Sequence, residues 1–83
     1  AIRNAMDSPL ELELRELLGG ITPLPPDFTS DTDLLDALAL ESAQIMEFVM
    51  EVEDHFDVII DQRQLAEVRN IAQLAAVVGK AVA

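Results

Sequence analysis

Residues 42–56 read SAQIMEFVMEVEDHF, and this stretch decides the fold. When it is placed on a helix at about 100° per residue, five apolar side chains share one arc. They are Ile45, Phe48, Val49, Val52 and Phe56. The neighbouring arc holds Met46, Glu47, Met50, Glu53 and Asp54. We therefore predict a helix that has Ser42 as its N-cap, ends near Phe56 and turns the first arc towards a core.

The second arc allows two interpretations. In one, Met46 and Met50 simply extend the core stripe. In the other, methionine and carboxylates together form a docking face, because the flexible methionine side chain suits surfaces that meet several partners. We favour the docking face, because a purely solvated surface would not usually carry two methionines.

Another amphipathic helix is predicted ahead of this stretch, ending at Gly19-Gly20. Ser8 suits its N-cap, Pro9 its first position, and Glu11 completes a capping box. Its apolar stripe is formed by Leu10, Leu14, Leu17 and Leu18. We expect the glycines to end the helix by adopting the left-handed conformation.

A long connection, residues 19–41, joins these two helices. Pro23, Pro25 and Pro26 forbid a regular helix there, although a short helical turn is expected over 33–38. Several apolar residues of the connection are predicted to pin it to the bundle. They are Ile21, Leu24, Phe28, Leu34, Leu35 and Leu38.

The C-terminal third predicts a short helix over 62–68, capped by Asp61, and a last helix after Asn70. The apolar stripe of the last helix is Ile71, Leu74, Ala75, Val78 and Val82. The fold class is therefore all-α: a small four-helix bundle with a long first connection and a short third helix. We assign residues 8–83 to one domain and 1–7 to a disordered extension or non-native remnant, with Met6 as a native start.

The charge balance limits the partners. Sixteen acidic residues against five basic ones give a net charge of -11 among 83 residues. Nucleic acids and anionic membranes would repel such a chain, so proteins with basic docking patches are the expected partners. There is no cysteine and no apolar run of the roughly 20 residues that a membrane span needs. We expect a soluble, cytoplasmic monomer.

Ser42 is the candidate site residue. As a helix cap it would be ordinary. However, its hydroxyl follows an irregular connection, stands beside Glu41 and is approachable by a modifying enzyme. A phosphate on that oxygen would lie near helix N–H groups, which favour anions.

The segment 37–57, ALALESAQIMEFVMEVEDHFD, resembles the modification site and second helix of acyl carrier proteins. Members of that family read Leu-Gly-x-Asp-Ser-Leu and then continue into an acidic amphipathic helix. The resemblance implies that a phosphopantetheinyl transferase attaches 4'-phosphopantetheine from coenzyme A to Ser42. It also implies partner recognition by Glu41, Met46, Glu47, Met50, Glu53 and Asp54.

The resemblance further implies a carrier that is not itself an enzyme. Its arm would hold acyl groups as thioesters, received from a loading ligase and passed to a downstream acyltransferase or synthase. Four residues depart from the family pattern: Ala39, Glu41, Ala43 and Gln44. These departures favour a specialised lipid or secondary-metabolite pathway over housekeeping fatty acid synthesis.

Other functions remain open at this point. One is an aminoacyl or peptidyl carrier, and another is an unmodified acidic interaction domain. An enzymatic function has little support in the sequence, because His55 is the only histidine. A calcium loop over Asp27, Asp31, Asp33 and Asp36 fails the EF-hand spacing, and zinc has too few ligands.

Overall fold

The computed structural model describes residues 8–82, and they form helices without strands. The helices are α1 (Pro9–Gly19), α2 (Leu34–Leu38), α3 (Ser42–Phe56), α4 (Gln62–Leu65) and α5 (Ile71–Val82). The predicted all-α class is confirmed, and the helical turn expected over 33–38 is the additional element α2. The assignment of residues 1–7, including Met6 as a native start, lies outside the described residues.

Helix α1 begins as its sequence predicts but ends differently. The Ser8 Oγ accepts from the Glu11 N–H at 3.1 Å, and the Glu11 carboxylate accepts from the Ser8 N–H at 3.3 Å. The predicted left-handed glycine is wrong, because Gly20 has φ −78° and ψ −15°. Its N–H donates to the Leu17 carbonyl at 3.2 Å. This right-handed turn pairs a terminal carbonyl of the helix, so no positive φ is needed.

Helix α4 is shorter than predicted. The Asp61 carboxylate accepts from the Arg63 N–H at 2.8 Å, which confirms the cap. The helix ends at Leu65 rather than Val68, because the chain tightens into turns with three-residue spacing. The N–H of Glu67 donates to the Gln64 carbonyl at 3.2 Å, and that of Val68 donates to the Leu65 carbonyl at 3.0 Å.

The core is aliphatic, with two phenylalanines, and lies where α1, α3 and α5 pack together. Its buried apolar residues are Leu14, Leu18, Phe28, Leu34, Phe48, Val52, Ile60, Ile71, Leu74, Ala75 and Val78. Most predicted stripe residues either belong to this set or pack against it. The three helices thus bury their apolar stripes in one common core, which fixes the rotation of each helix about its axis.

Two predicted core residues are exposed. Leu35 is exposed, whereas its neighbour in the short helix α2, Leu34, is buried. Val82 lies one turn past Gly79, which already stands opposite Leu10 near the start of α1. Each side chain is 52% exposed, so these two predictions are wrong.

The long connection is tied to the start of α5. The Arg69 carbonyl accepts from the Leu34 N–H at 2.8 Å, and the Ser30 carbonyl accepts from the Ala72 N–H at 3.0 Å. The Arg69 guanidinium lies 3.4 Å from the Asp33 carboxylate. These contacts hold α2 in place and thereby set the direction from which the chain enters α3.

Asp33 also caps α2. Its Oδ1 accepts from the N–H groups of Leu35 and Asp36, each at 3.0 Å. The hydrogen bond from the Asp36 N–H has the largest effect on the pKa of Asp33 and lowers it. Desolvation has the next largest effect and raises the pKa, whereas the Leu35 N–H and Arg69 lower it further, so that the net direction is downward. The ionised carboxylate is therefore the form that the folded chain favours.

Ala39 ends α2 in the left-handed conformation, with φ 48° and ψ 46°. Its N–H donates to the Leu35 carbonyl at 3.1 Å. This conformation costs an L-residue with a Cβ about 1–2 kcal/mol of free energy, because the Cβ crowds the backbone, whereas glycine has no such cost. Ala39 therefore carries a conformational cost in the turn that leads into α3.

Replacing Ala39 should reveal that cost. We expect Ala39→Gly to raise the free energy of unfolding by up to about 1 kcal/mol, the strain relieved being partly offset by the greater freedom of glycine in the unfolded chain. Ala76→Gly, at an exposed position inside α5, is the matched control and should lower it by about 1 kcal/mol. Urea unfolding of both variants measures this. Equal destabilisation by the two glycines would contradict the strain.

The Asp33 carboxylate should make stability depend on pH. Because its pKa is lower in the folded than in the unfolded chain, its contribution is present above about pH 4 and is lost as the pH falls through the folded pKa. We expect Asp33→Asn, which keeps a capping side chain, to be less stable than the parent at pH 7 and to approach it near pH 2. Asp31→Asn, at an exposed position in the same connection, is the control. A parent–variant difference that is the same at both pH values would contradict the assignment.

Candidate functional site at the start of α3

Ser42 is the first residue of α3, and its N-cap is Glu41. The prediction that Ser42 itself caps the helix is therefore wrong by one residue. The reason is that the Glu41 carbonyl already accepts from the Ile45 N–H at 3.0 Å, which starts the helix one residue earlier. The Gln44 Oε1 accepts from the Glu41 N–H at 3.0 Å and fixes this start.

The Ser42 side chain is exposed. Within residues 8–82 its hydroxyl takes part in no hydrogen bond. The N–H groups of a first helical turn have no intrahelical partners and carry partial positive charge. An anionic group on the Ser42 oxygen would therefore be stabilised by the helix terminus.

The two arcs of α3 lie as the sequence predicts. Phe48 and Val52 are buried, and Ile45, Val49 and Phe56 are half-buried. Met46 is 62% exposed and Met50 is 64% exposed, so the interpretation that they extend the core stripe is wrong. The predicted recognition residues Glu41, Glu47 and Asp54 are exposed as well.

Glu53 differs from the other predicted recognition residues. It is half-buried, and its Oε2 accepts from the Ile60 N–H at 3.0 Å. Its carbonyl accepts from the N–H of Val58, also at 3.0 Å. Glu53 thus holds the link between α3 and α4 in place.

An apolar cavity of about 190 Å³ lies among α2, α3 and α4. All of its lining residues are apolar. Among them are Leu35 and Leu40, which precede Ser42, and Ile45, one turn beyond it on α3. The cavity is therefore next to the candidate serine. Sequence periodicity could not reveal it, because a cavity reflects how the helices fit together.

His55 is exposed. Its Nε2 lies 3.3 Å from the Glu13 Oε1 of α1, and its ring meets the Phe56 ring edge-on at 4.7 Å. Nowhere in residues 8–82 do three His, Asp or Glu side chains come close enough to ligate a metal ion. Among the same residues, no helix has the length and apolar character needed to cross a bilayer.

Comparison with known families decides the assignment. The family described as the phosphopantetheine attachment site matches residues 13–78, which include Ser42, the cavity and all of α3. The chain belongs to this family. The predicted resemblance to carrier proteins is confirmed, and the cofactor of the family is covalently attached 4'-phosphopantetheine. Members of this family are carriers rather than catalysts.

The fold is also found in a solved structure. A Mycobacterium tuberculosis protein assigned as an acyl carrier protein superimposes with a TM-score of 0.76 at 21% identity. The match covers 86% of this chain and 96% of that one. At this identity the likeness establishes the shared bundle. The comparison with curated protein sequences gives no significant match.

Proposed function

We propose that Ser42 carries the phosphopantetheine arm and that the protein delivers acyl groups to partner enzymes as thioesters. The observation that carries the proposal is an exposed, unengaged hydroxyl at the first residue of α3, inside the segment that matches the family. The chain's other described serines serve the fold: Ser8 caps α1, and Ser30 is buried.

The residues around Ser42 fit the arm. The first turn of α3 offers N–H groups to the phosphate, and Ala43 leaves the surface beside the serine open because its side chain is short and exposed. When attached, the arm supplies the terminal thiol that a chain without cysteine lacks. The chain itself presents the Ser42 oxygen at an exposed position.

The cavity supports an acyl cargo over an aminoacyl one. An apolar cavity of about 150 Å³ is large enough to hold a benzene-sized molecule, so this larger one can take several methylene groups. The protonated amine of an aminoacyl thioester would lose its hydration there without finding a polar partner. A hydrocarbon chain has no such cost and would fill the space.

The charge pattern supports the choice of partners. Exposed carboxylates and methionines along α3 suit enzymes with basic and apolar docking surfaces. These would be a phosphopantetheinyl transferase, a loading ligase and a downstream acyltransferase or synthase.

Because the arm comes from coenzyme A, we place the protein in the cytoplasm. Four residues around the arm depart from the family pattern and favour a specialised lipid or secondary-metabolite pathway: Ala39, Glu41, Ala43 and Gln44.

Modification in vitro tests the assignment of Ser42. A phosphopantetheinyl transferase with coenzyme A should add one arm to the apo-protein, detected as a mass increase of the intact chain. Ser42→Ala should abolish the increase, and Ser8→Ala, which removes another exposed serine at a helix start, should retain it. Circular dichroism confirms that both variants fold. An arm on folded Ser42→Ala, or no arm on the parent, would refute the assignment.

The cargo can be tested by melting. We expect an octanoyl thioester on the arm to raise Tm by a few degrees, because a chain seated in the cavity binds only the folded state. A glycyl thioester on the same arm is the control and should melt with the unloaded form. Equal melting of the octanoyl and glycyl forms would mean that the cargo stays outside the cavity and would remove the support for an acyl cargo.

A further inference from the structure

The apolar cavity has a mouth between α2 and the turn that follows α4. Of its twelve lining residues, two are exposed and the others are buried or half-buried. The exposed ones are Leu35, which belongs to α2, and Ala66, which directly follows α4. A side chain that lines a cavity and also meets solvent lies at the opening of that cavity. Leu35 and Ala66 therefore mark the edges of the mouth through which a chain enters or leaves.

Two contacts join these edges. Asp33 lies two residues before Leu35, and Arg69 lies three residues after Ala66. The Arg69 Nη1 is 3.4 Å from the Asp33 Oδ2, and the Leu34 N–H donates to the Arg69 carbonyl at 2.8 Å. Both contacts connect the start of α2 to the chain beyond Ala66, so they hold the mouth narrow.

The position of α2 depends on such contacts. The helix has five residues, which are too few for a helix to be stable in isolation. Its buried residue is Leu34, and α2 packs against the other helices less closely than α1 packs against α3 and α5. The turn at its C-terminal end contains the strained Ala39. Burial of Leu34 and the contacts with Arg69 therefore keep α2 over the cavity.

We propose that α2 is a lid on the cavity and that the Asp33–Arg69 ion pair holds this lid closed over the cargo. This inference rests on the proposed acyl cargo. Arg69 is then a positioning residue, because it acts on the cargo through α2. An exposed ion pair contributes little stability, so the lid opens readily and can do so each time that cargo is delivered.

The two contacts respond differently to solvent. The side chains of Arg69 and Asp33 are 71% and 31% exposed, so salt in solution screens their attraction. The backbone hydrogen bond between Leu34 and Arg69 joins uncharged groups and is not screened in this way. Loss of the ion pair should therefore loosen the lid without detaching it from the bundle.

The test follows the end of a bound acyl chain by NMR. The full chain carries an octanoyl thioester with fluorine on its terminal carbon, and a neutral gadolinium chelate in solution relaxes any fluorine that it can approach. We expect Arg69→Gln to raise this relaxation about two- to five-fold, which is the change in an opening equilibrium that the loss of an exposed ion pair produces. Arg63→Gln is the matched control, because Arg63 pairs with Asp61 at 3.8 Å outside the cavity lining. It should leave the relaxation unchanged.

Two further comparisons isolate the ion pair. Asp33→Asn keeps the side-chain oxygen that caps α2 and removes the charge, so it should raise the relaxation as Arg69→Gln does. The double variant should expose the chain end no more than either single variant, because both substitutions remove the same interaction. High salt should raise the relaxation of the parent towards that of the variants and leave the variants unchanged.

The outcomes separate the lid from the proposed function. If the fluorine of the parent is as accessible as that of free octanoyl-pantetheine, no acyl chain occupies the cavity, and the proposed cargo and the lid both fail. If it is protected in the parent and equally protected in Arg69→Gln, the lid is overturned and the proposed cargo stands. An ion pair that only supports the fold would give this second result together with a lower Tm. An equal increase in Arg63→Gln would overturn the role of the Asp33–Arg69 pair.

Discussion

Burial of Phe48 and Val52 is the constraint on which the site depends. The two side chains are 4% and 0% exposed, and they fix the rotation of α3 against a core that contains Leu14, Leu18 and Val78. With that face inward, Met46 and Met50 must point outward, because they lie on a different arc of the same helix. Replacing either core side chain by alanine would loosen the helix that carries the site.

Sequence periodicity predicts the helices that bury a stripe, because α1, α3 and α5 are long enough for the pattern to be read. Periodicity does not predict features of the structure that depend on a single contact. One hydrogen bond from Ile45 to Glu41 moves the cap away from Ser42. The run Val58-Ile59-Ile60 has no period from which its outward residue could be recognised, and only Glu53 and the core determine that Ile59 is exposed.

The turn that leads into α3 lies between two sets of contacts. Ala39 adopts a left-handed conformation that suits glycine better, so the turn before α3 is strained. The Gln44 side chain accepts a hydrogen bond from the Glu41 N–H and secures the start of α3. On the N-terminal side of Ala39, the ion pair between Arg69 and Asp33 holds the long connection in place. The approach to Ser42 is thus fixed by contacts at both ends of a strained turn.

The most direct test of the central claim is tandem mass spectrometry of the protein isolated from its own cells. The account predicts a phosphopantetheine group on the peptide that contains Ser42, with an apolar acyl group bound to it as a thioester. An unmodified Ser42, or an arm attached to a different residue, would contradict the account.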